Sequence, residues 1–568
     1  MAKTNVLSEL GQENAIAFEN EASMQPMSEY DLPLEEFLYH AKLQREREKQ
    51  PEYGAGNMKA AIPVFGFLSH LFNKKNEDSS SPNDNSNEKG DMTPEDGTKV
   101  EVENATRVVR NATWMSVFYL ITTDILGPTS APYAVSQLGF APGSLLYFLF
   151  GIAAAYTGYI LFRMFLKVDS LVYPLKNYGD LVGRIYGKRI RYGVDFLQAI
   201  QLLCNVAVII LGNGQGLYQV AKKKVCFAVM VVVWALAGMI IGQIRTIQKF
   251  GFLANLAIWM NLFVCFATMG VVAHSGVNYD AALSQNGVEK GPVITHAVIS
   301  GGGDKFTLQL EAAMNIVYAY GGAMMFIEFM AEMRRPMDFW KGMAMAQSVI
   351  FCIYLLYGLF VYAYQGQFVV NPANQGINPY NWQTALNVIN LVSSLIAAGL
   401  YGNVGIKVVY NTFFRRIFKF PDLNSKYGKI IWVPMVVFYW GICYVIASAI
   451  PQFSTLTSLV GAVCILQFTY TFPPMMALGL DVQINAMKAD GPYDPVTKTT
   501  NRIDTWKQAS RWIRGFSRKW YLNVFHLFFF LASLATAALG IYSSALQLKK
   551  AYAPGSSLAG AFSCKGNI

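Results

Sequence analysis

From about residue 105 onward, the chain alternates between apolar runs of some 20 residues and short polar connections. The runs lie near 112–138, 143–166, 193–218, 225–243, 250–273, 308–333, 342–364, 383–408, 430–450, 455–478 and 521–547. About 20 apolar residues in a helix cover a ~30 Å hydrocarbon core. The pattern therefore predicts eleven transmembrane helices in an all-α membrane protein. Two runs are not uniform. Met314–Asp338 carries Tyr318-Ala319-Tyr320-Gly321-Gly322 in its middle, then Glu328, Glu332, Arg334, Arg335 and Pro336. Adjacent glycines inside a helix cost ~1 kcal/mol each relative to alanine. Ile121–Ala134 is interrupted by Gly127-Pro128, where proline removes a donor and clashes with the preceding turn. Freed backbone groups in hydrocarbon must find partners in protein or trapped water.

Paired broken helices in corresponding positions point to a transporter site at the membrane midplane. Runs one to five begin with one broken helix and runs six to ten with the other. Because five is odd, the two sets insert in opposite senses. The expected architecture is a 5+5 inverted repeat with broken helices 1 and 6, and the last run is an addition outside it.

Charge sets the orientation. Lysine and arginine gather in alternate connections: Arg107 and Arg110; Lys167 through Arg191; Arg245 and Lys249; Arg334 through Lys341; Arg415 through Lys429; Lys488 through Lys519. The connections between them, such as 365–380 and 451–454, are nearly bare, which places the amino terminus in the cytoplasm. Lys222-Lys223-Lys224 falls on the wrong side and breaks this pattern. A net charge of +10 is thus assigned to topology and not to a nucleic-acid partner.

The expected domains are a disordered cytoplasmic tail (1–105), an eleven-helix transporter domain (106–548) and a short extracytoplasmic tail (549–568). The first tail includes a low-complexity run, 76–91, too polar to bury a core. Within it, Leu34 to Arg47 has the pattern of a short amphipathic helix for the membrane surface or the inner face of the transporter, the alternative being a solvated segment. No apolar signal-peptide core precedes the first run, so that run is expected to direct insertion. The sequons at Asn104 and Asn111 fall on the cytoplasmic side or in the first span and are expected to be unmodified. The seven cysteines form neither a CxxC pair nor a His/Cys cluster, so neither zinc nor a disulfide framework is expected.

The chemistry is expected at the two breaks. Ile125, Leu126, Gly127, Pro128, Thr129 and Ser130 form one half of a substrate site, with Thr129 or Ser130 capping the outer half-helix. Free N–H groups at a half-helix start suit a carboxylate. Tyr318, Ala319, Tyr320, Gly321 and Gly322 form the other half, where freed carbonyls suit an ammonium group. A zwitterionic amino acid matches both ends. Asp124 is the deepest ionisable residue of the first run, and a membrane-embedded carboxylate is a functional candidate by default. Asp124 and Glu328 are the candidate proton acceptors, and Ser393 and Ser394 are candidate sodium ligands beside Asn387 and Asn390. Asn205 and Asn213 share a run with Gly212, Gly214 and Gly216, which permit close helix packing and have no nucleotide-loop context. No nucleophile–base set appears, so neither an enzyme nor a metal site nor a bound cofactor is expected; the coupling ion is H+, with Na+ as the alternative.

Asn315 to Tyr320, followed by Phe329 to Asp338, resembles the block that closes broken span six in the amino acid/auxin permease family. Leu126 to Pro132 with Gly139, Tyr178-Gly179-Asp180, and Val361 to Tyr364 support the resemblance, which covers roughly 105–545. It implies a LeuT-like fold, proton symport of neutral aliphatic or aromatic amino acids, and a plasma-membrane location, with the vacuolar membrane as alternative. The chain departs from the family at Ile125-Leu126-Gly127, where many members have Gly-x-Gly, and at Asp124, usually apolar. The expected function is alternating-access transport, with amino acid and lipid bilayer as partners. The rival is an amino acid sensor signalling through the N-terminal tail to cytoplasmic regulators. A channel is disfavoured, since broken helices at one midplane site suit occlusion.

Overall fold

The computed structural model describes residues 32–49, 110, 112–245, 247–302, 304–415, 418–421, 423, 425–450, 452–495, 497, 499–553, 560–564 and 566. The 76–91 run, Arg107, and Asn104 and Asn111 of the sequons lie outside them, as does most of the 1–105 tail.

The helices, in chain order, are α1 Leu34–Glu48, α2 Trp114–Ile125, α3 Ala131–Leu138, α4 Phe140–Val168, α5 Tyr178–Tyr186 and α6 Lys188–Val220. They continue with α7 Phe227–Ile241, α8 Ile247–His274, α9 Tyr279–Asn286, α10 Asp304–Ala319, α11 Phe326–Glu332 and α12 Phe339–Gln365. The last six are α13 Tyr380–Val409, α14 Lys426–Ala449, α15 Phe453–Val460, α16 Phe472–Met487, α17 Ala509–Ser517 and α18 Trp520–Ala551. Among the described residues, nine helical stretches are long and apolar enough to cross a membrane. The run at 225–243 yields only the 15 residues of α7, and the first run is split into α2 and α3. A two-residue hairpin, Tyr493–Asp494 with Thr499–Thr500, departs from the all-α expectation in the connection before α17.

Helix α6 is the buried axis of the bundle and packs against α13, α7, α14 and α5. Its glycines serve packing, as their spacing predicts: a Cβ on Gly212 would sit 2.8 Å from the Phe453 ring, and one on Gly214 would sit 2.6 Å from Val231. Without a hydrophobic drive between helices in lipid, such close approach is what holds them together. Side chains of α18 such as Phe528 and Leu531 stay exposed, the expected face toward lipid. Helices α15 and α16 form one rod interrupted by π-helical turns at Gly461–Ile465 and Gln467–Thr471.

The ends of the broken helices are tied to each other. At the basic face, Ala112 pairs with the chain around Met333, its N–H donating to Glu332 O at 2.9 Å. At the opposite face, Phe140 N and Ala141 N donate to His296 O and Ala297 O at 3.1 and 2.9 Å. Gly139 turns there with φ +94°, in the left-handed region, and a Cβ would come within 2.9 Å of Ala297 O.

On the basic face, Asp169 holds Arg110 by a two-pronged pair, both contacts 2.9 Å, and also Arg45 of α1 at 3.2 Å. Helix α1 lies across this face. Tyr173 donates to Glu36 at 2.8 Å, Arg502 to Glu35 at 3.0 Å, and Arg335 to the Glu48 carbonyl at 3.3 Å. The Arg184 guanidinium stacks 4.5 Å from the Phe37 ring centroid. On the opposite face, two expectations change. Cys226 and Cys564 form a disulfide across 338 residues of sequence, which corrects the reading that no disulfide is present. Nothing in their spacing reveals a pairing that the fold alone creates. The three lysines beside it form a tight turn, with Lys222 and Lys223 at positive φ and the Lys222 ammonium 5.1 Å from the Tyr380 ring. That cation–π contact and full access to water explain how they rest outside the basic face.

Candidate functional site

Helix α2 begins with Thr113 as its cap, accepting from Ser116 N at 3.2 Å, and stops at Ile125. Leu126 and Gly127 are non-helical, and a 3-10 turn, Pro128–Ser130, leads into α3. In the other half, α10 stops at Ala319, Tyr320 to Gly322 are irregular, and a 3-10 turn, Ala323–Met325, restarts the chain into α11. The two breaks press together. A Cβ on Gly322 would lie 2.5 Å from both Asp124 Oδ2 and Ile125 Cγ1. Glycine is required there by contact.

A tyrosine that the sequence reading did not single out joins them. The Tyr354 hydroxyl, on α12, lies 2.6 Å from Ile125 O and 3.1 Å from Ala319 O, and accepts from Gly127 N at 3.0 Å. One hydroxyl thus serves freed backbone groups of both breaks, as hydrocarbon demands. Asn261 donates to Leu126 O at 3.1 Å, and Tyr401 donates to Asp124 O at 3.0 Å.

Between the breaks lies a cavity of about 160 Å³. Asp124, Ile125, Leu126, Gly127, Pro128, Thr129 and Ser130 line one side, and Tyr318, Ala319 and Gly321 line the other. Asn205, Asn213, Asn390, Ser393 and Ser394 also reach it. Among the described residues, Asp124 is its sole charged lining residue, and both its buried carboxylate oxygens lack a well-formed hydrogen bond. Ser393 donates to Asn261 Oδ1 at 2.5 Å and Ser394 to Asn213 Oδ1 at 2.7 Å. These hydroxyls are therefore engaged across helices.

Four expected residues fall elsewhere. Tyr320 turns away to donate to Tyr147 O at 3.0 Å, and Gly322 is covered by Asp124 and Ile125. Glu328 is outside the cavity and accepts from Gln198 Nε2 at 2.9 Å, because the 3-10 turn rephases α11 against α10. Asn387 joins a separate network with Asn374 and Gln219. Ser130 holds the cap position of α3, but its side chain makes no capping bond, which corrects that expectation. The reading missed Tyr354, Tyr401 and Asn261. Aromatic and amide residues in an otherwise regular apolar run give no signal to separate them from packing. Among the described residues, no group of three or more His, Cys, Asp or Glu could hold a metal ion.

Residues 110–483 match the family model described as "Transmembrane amino acid transporter protein". The chain belongs to that family. The match begins just before the first broken helix and ends within α16, so it contains both breaks. The chain is similar to the N amino acid transport system protein of Neurospora crassa, with 26% identity over 372 residues, 64% of this chain and 74% of the relative. It is also 24% identical over 376 residues to a transmembrane transporter of Fusarium pseudograminearum, covering 65% and 75% of the two chains. Amino acid permease 1 of Arabidopsis thaliana is 23% identical over 436 residues, 68% and 86% of the two chains. This family member is a multi-pass membrane transporter and not an enzyme.

Proposed function

We propose that the chain is a secondary active transporter of neutral aliphatic and aromatic amino acids, driven by protons and working by alternating access. The observation that carries this reading is the pair of breaks facing one small cavity, with Tyr354 between them. The substrate carboxylate is assigned to the uncapped start of the 3-10 turn and α3 at Thr129 and Ser130. Its ammonium is assigned to the freed carbonyls beside Tyr318 to Gly321. Neutral selectivity follows from the lining. Val208, Ile209, Val264, Phe453 and Ile465 offer apolar surface, and among the described residues there is no second charge to pair with an acidic or basic side chain.

Asp124 takes the coupling proton. An unpaired charge at this depth costs at least ~2.5–3.5 kcal/mol, so protonation stabilises the site. Glu328 stands outside the cavity on a different partner, and Ser393 and Ser394 already hold amides, which disfavours them as coupling groups. The mutual ties at 112/332 and 140/296 support a LeuT-like 5+5 inverted repeat, with α18 as an eleventh span outside it. The amino terminus is assigned to the cytoplasm and the protein to the plasma membrane. Replacing Asp124→Asn is expected to abolish pH-driven accumulation while leaving the protein inserted. Unchanged proton coupling in that variant would sink the assignment.

A second reading, an amino acid sensor signalling through its N-terminal tail, is favoured by the seating of α1 across three inner connections. Deleting residues 1–100 separates the two. A transporter keeps its flux, whereas a sensor binds amino acid but loses its signal.

A further inference from the structure

A second cavity, of about 430 Å³, lies between the central one and the face opposite the basic loops. Its walls come from α3, α6, α10, the start of α15, and the loops around α9 and after α12. Glu311, two turns before the break in α10, supplies its one carboxylate. Glu311 is 3% exposed and accepts from Thr455 Oγ1 at 3.3 Å, and among the described residues no Lys, Arg or His lines the chamber. A buried carboxylate without a fixed cation is an expensive feature unless something positive visits it.

The amides around it are also unfinished. Gln215 and Asn371 are each 1% exposed, and neither side-chain amide has a hydrogen-bond partner for its nitrogen or its oxygen among the described residues. Buried amides left in this state are relieved by a polar guest. A carboxylate and free amide N–H groups lining the same chamber complement a zwitterion.

The two cavities share a wall. Phe453 lines both, and its ring rests on Gly212, where a Cβ would lie 2.8 Å away. Beside it, Asn315 of the central cavity donates to Ser454 of the outer one at 3.1 Å.

We propose that the outer chamber is a second amino acid site, in which Glu311 takes the ammonium and Gln215 and Asn371 take the carboxylate before Phe453 swings aside. This rests on the reading of the central cavity as the transport site. The test is equilibrium binding of radiolabelled leucine and phenylalanine to the purified full chain in detergent, alongside initial uptake rates in proteoliposomes. The wild type is expected to bind two molecules per chain. Glu311→Gln is expected to bind one, and its uptake KM to rise about tenfold, the scale of a lost charge-assisted bond. A Gln215→Ala/Asn371→Ala double variant gives the same readout with the carboxylate intact, so that a folding failure of Glu311→Gln leaves the question answerable. One molecule per chain in the wild type, with both variants at wild-type KM, overturns the chamber alone. No binding of either amino acid overturns the central reading as well.

Discussion

Removing a single oxygen tests whether Tyr354 holds the two breaks together. In Tyr354→Phe the ring keeps its stack on Tyr147, with centroids 5.9 Å apart and planes inclined 19°, and its contact with Tyr320 at 5.7 Å. Packing is therefore preserved and only the hydroxyl is lost. That hydroxyl accepts from Gly127 N and donates to Ile125 O or Ala319 O, so two hydrogen bonds exist at any moment. Each is worth about 0.5–1.5 kcal/mol net. Gly127 is itself open to the cavity, so water can take its N–H and no orphan penalty is added. The total is about 1–3 kcal/mol, or roughly 5- to 150-fold in the stability of the joined breaks at 1.4 kcal/mol per decade. The assay is the initial rate of amino acid uptake in proteoliposomes, normalised to correctly inserted protein, with a thermal melt of the detergent-solubilised variant. The expected result is a fall in Vmax/KM of at least ~5-fold with a lowered melting temperature. A variant within twofold of wild type in both would refute the bridging role.

Three further outcomes are expected. Gly322→Ala forces a methyl against Asp124 and Ile125 and should destabilise the protein by about 1–3 kcal/mol, read as a lower melting temperature with uptake reduced in parallel. At Asp169, burial alone would raise the carboxyl, but Arg110, Arg45 and the Leu175 N–H outweigh it and hold it below the usual carboxylate range. A lowered carboxyl stabilises the folded form above its unfolded value of 3.8 and loses that contribution as pH falls through the folded one. Protection factors across residues 34–48, corrected for the intrinsic pH dependence of amide exchange, should therefore stay high at neutral pH and fall only below about pH 4, and in Asp169→Asn they should be low throughout. Equal protection in both proteins would contradict this anchor. Reduction of the Cys226–Cys564 pair should expose two thiols to a membrane-impermeant maleimide added from the side opposite the basic loops. Labelling without reductant would argue against the bridge.

The sequence disclosed the breaks because glycine and proline are costly in a helix and nearly unambiguous in an apolar run. Ile125 to Ser130, Tyr318, Ala319 and Gly321 accordingly meet around one cavity with Asp124. It could not disclose what crosses between distant helices. Tyr354 sits among regular aromatics in α12, and Glu311 sits in an ordinary helical turn, so neither has a local signature. Glu328 was misplaced because a three-residue 3-10 turn changes the helical phase by an amount that composition does not encode. The disulfide and the lysine turn likewise depend on chain segments that only the fold brings together.

The central claim is that the cavity between the breaks carries neutral amino acids against their gradient at the expense of a proton gradient. Its most direct test is uptake of radiolabelled leucine and phenylalanine into proteoliposomes, first with an imposed proton gradient and then with a sodium gradient. Accumulation driven by protons alone is the expected result. Accumulation that requires sodium, or none of either amino acid under any gradient, would contradict it.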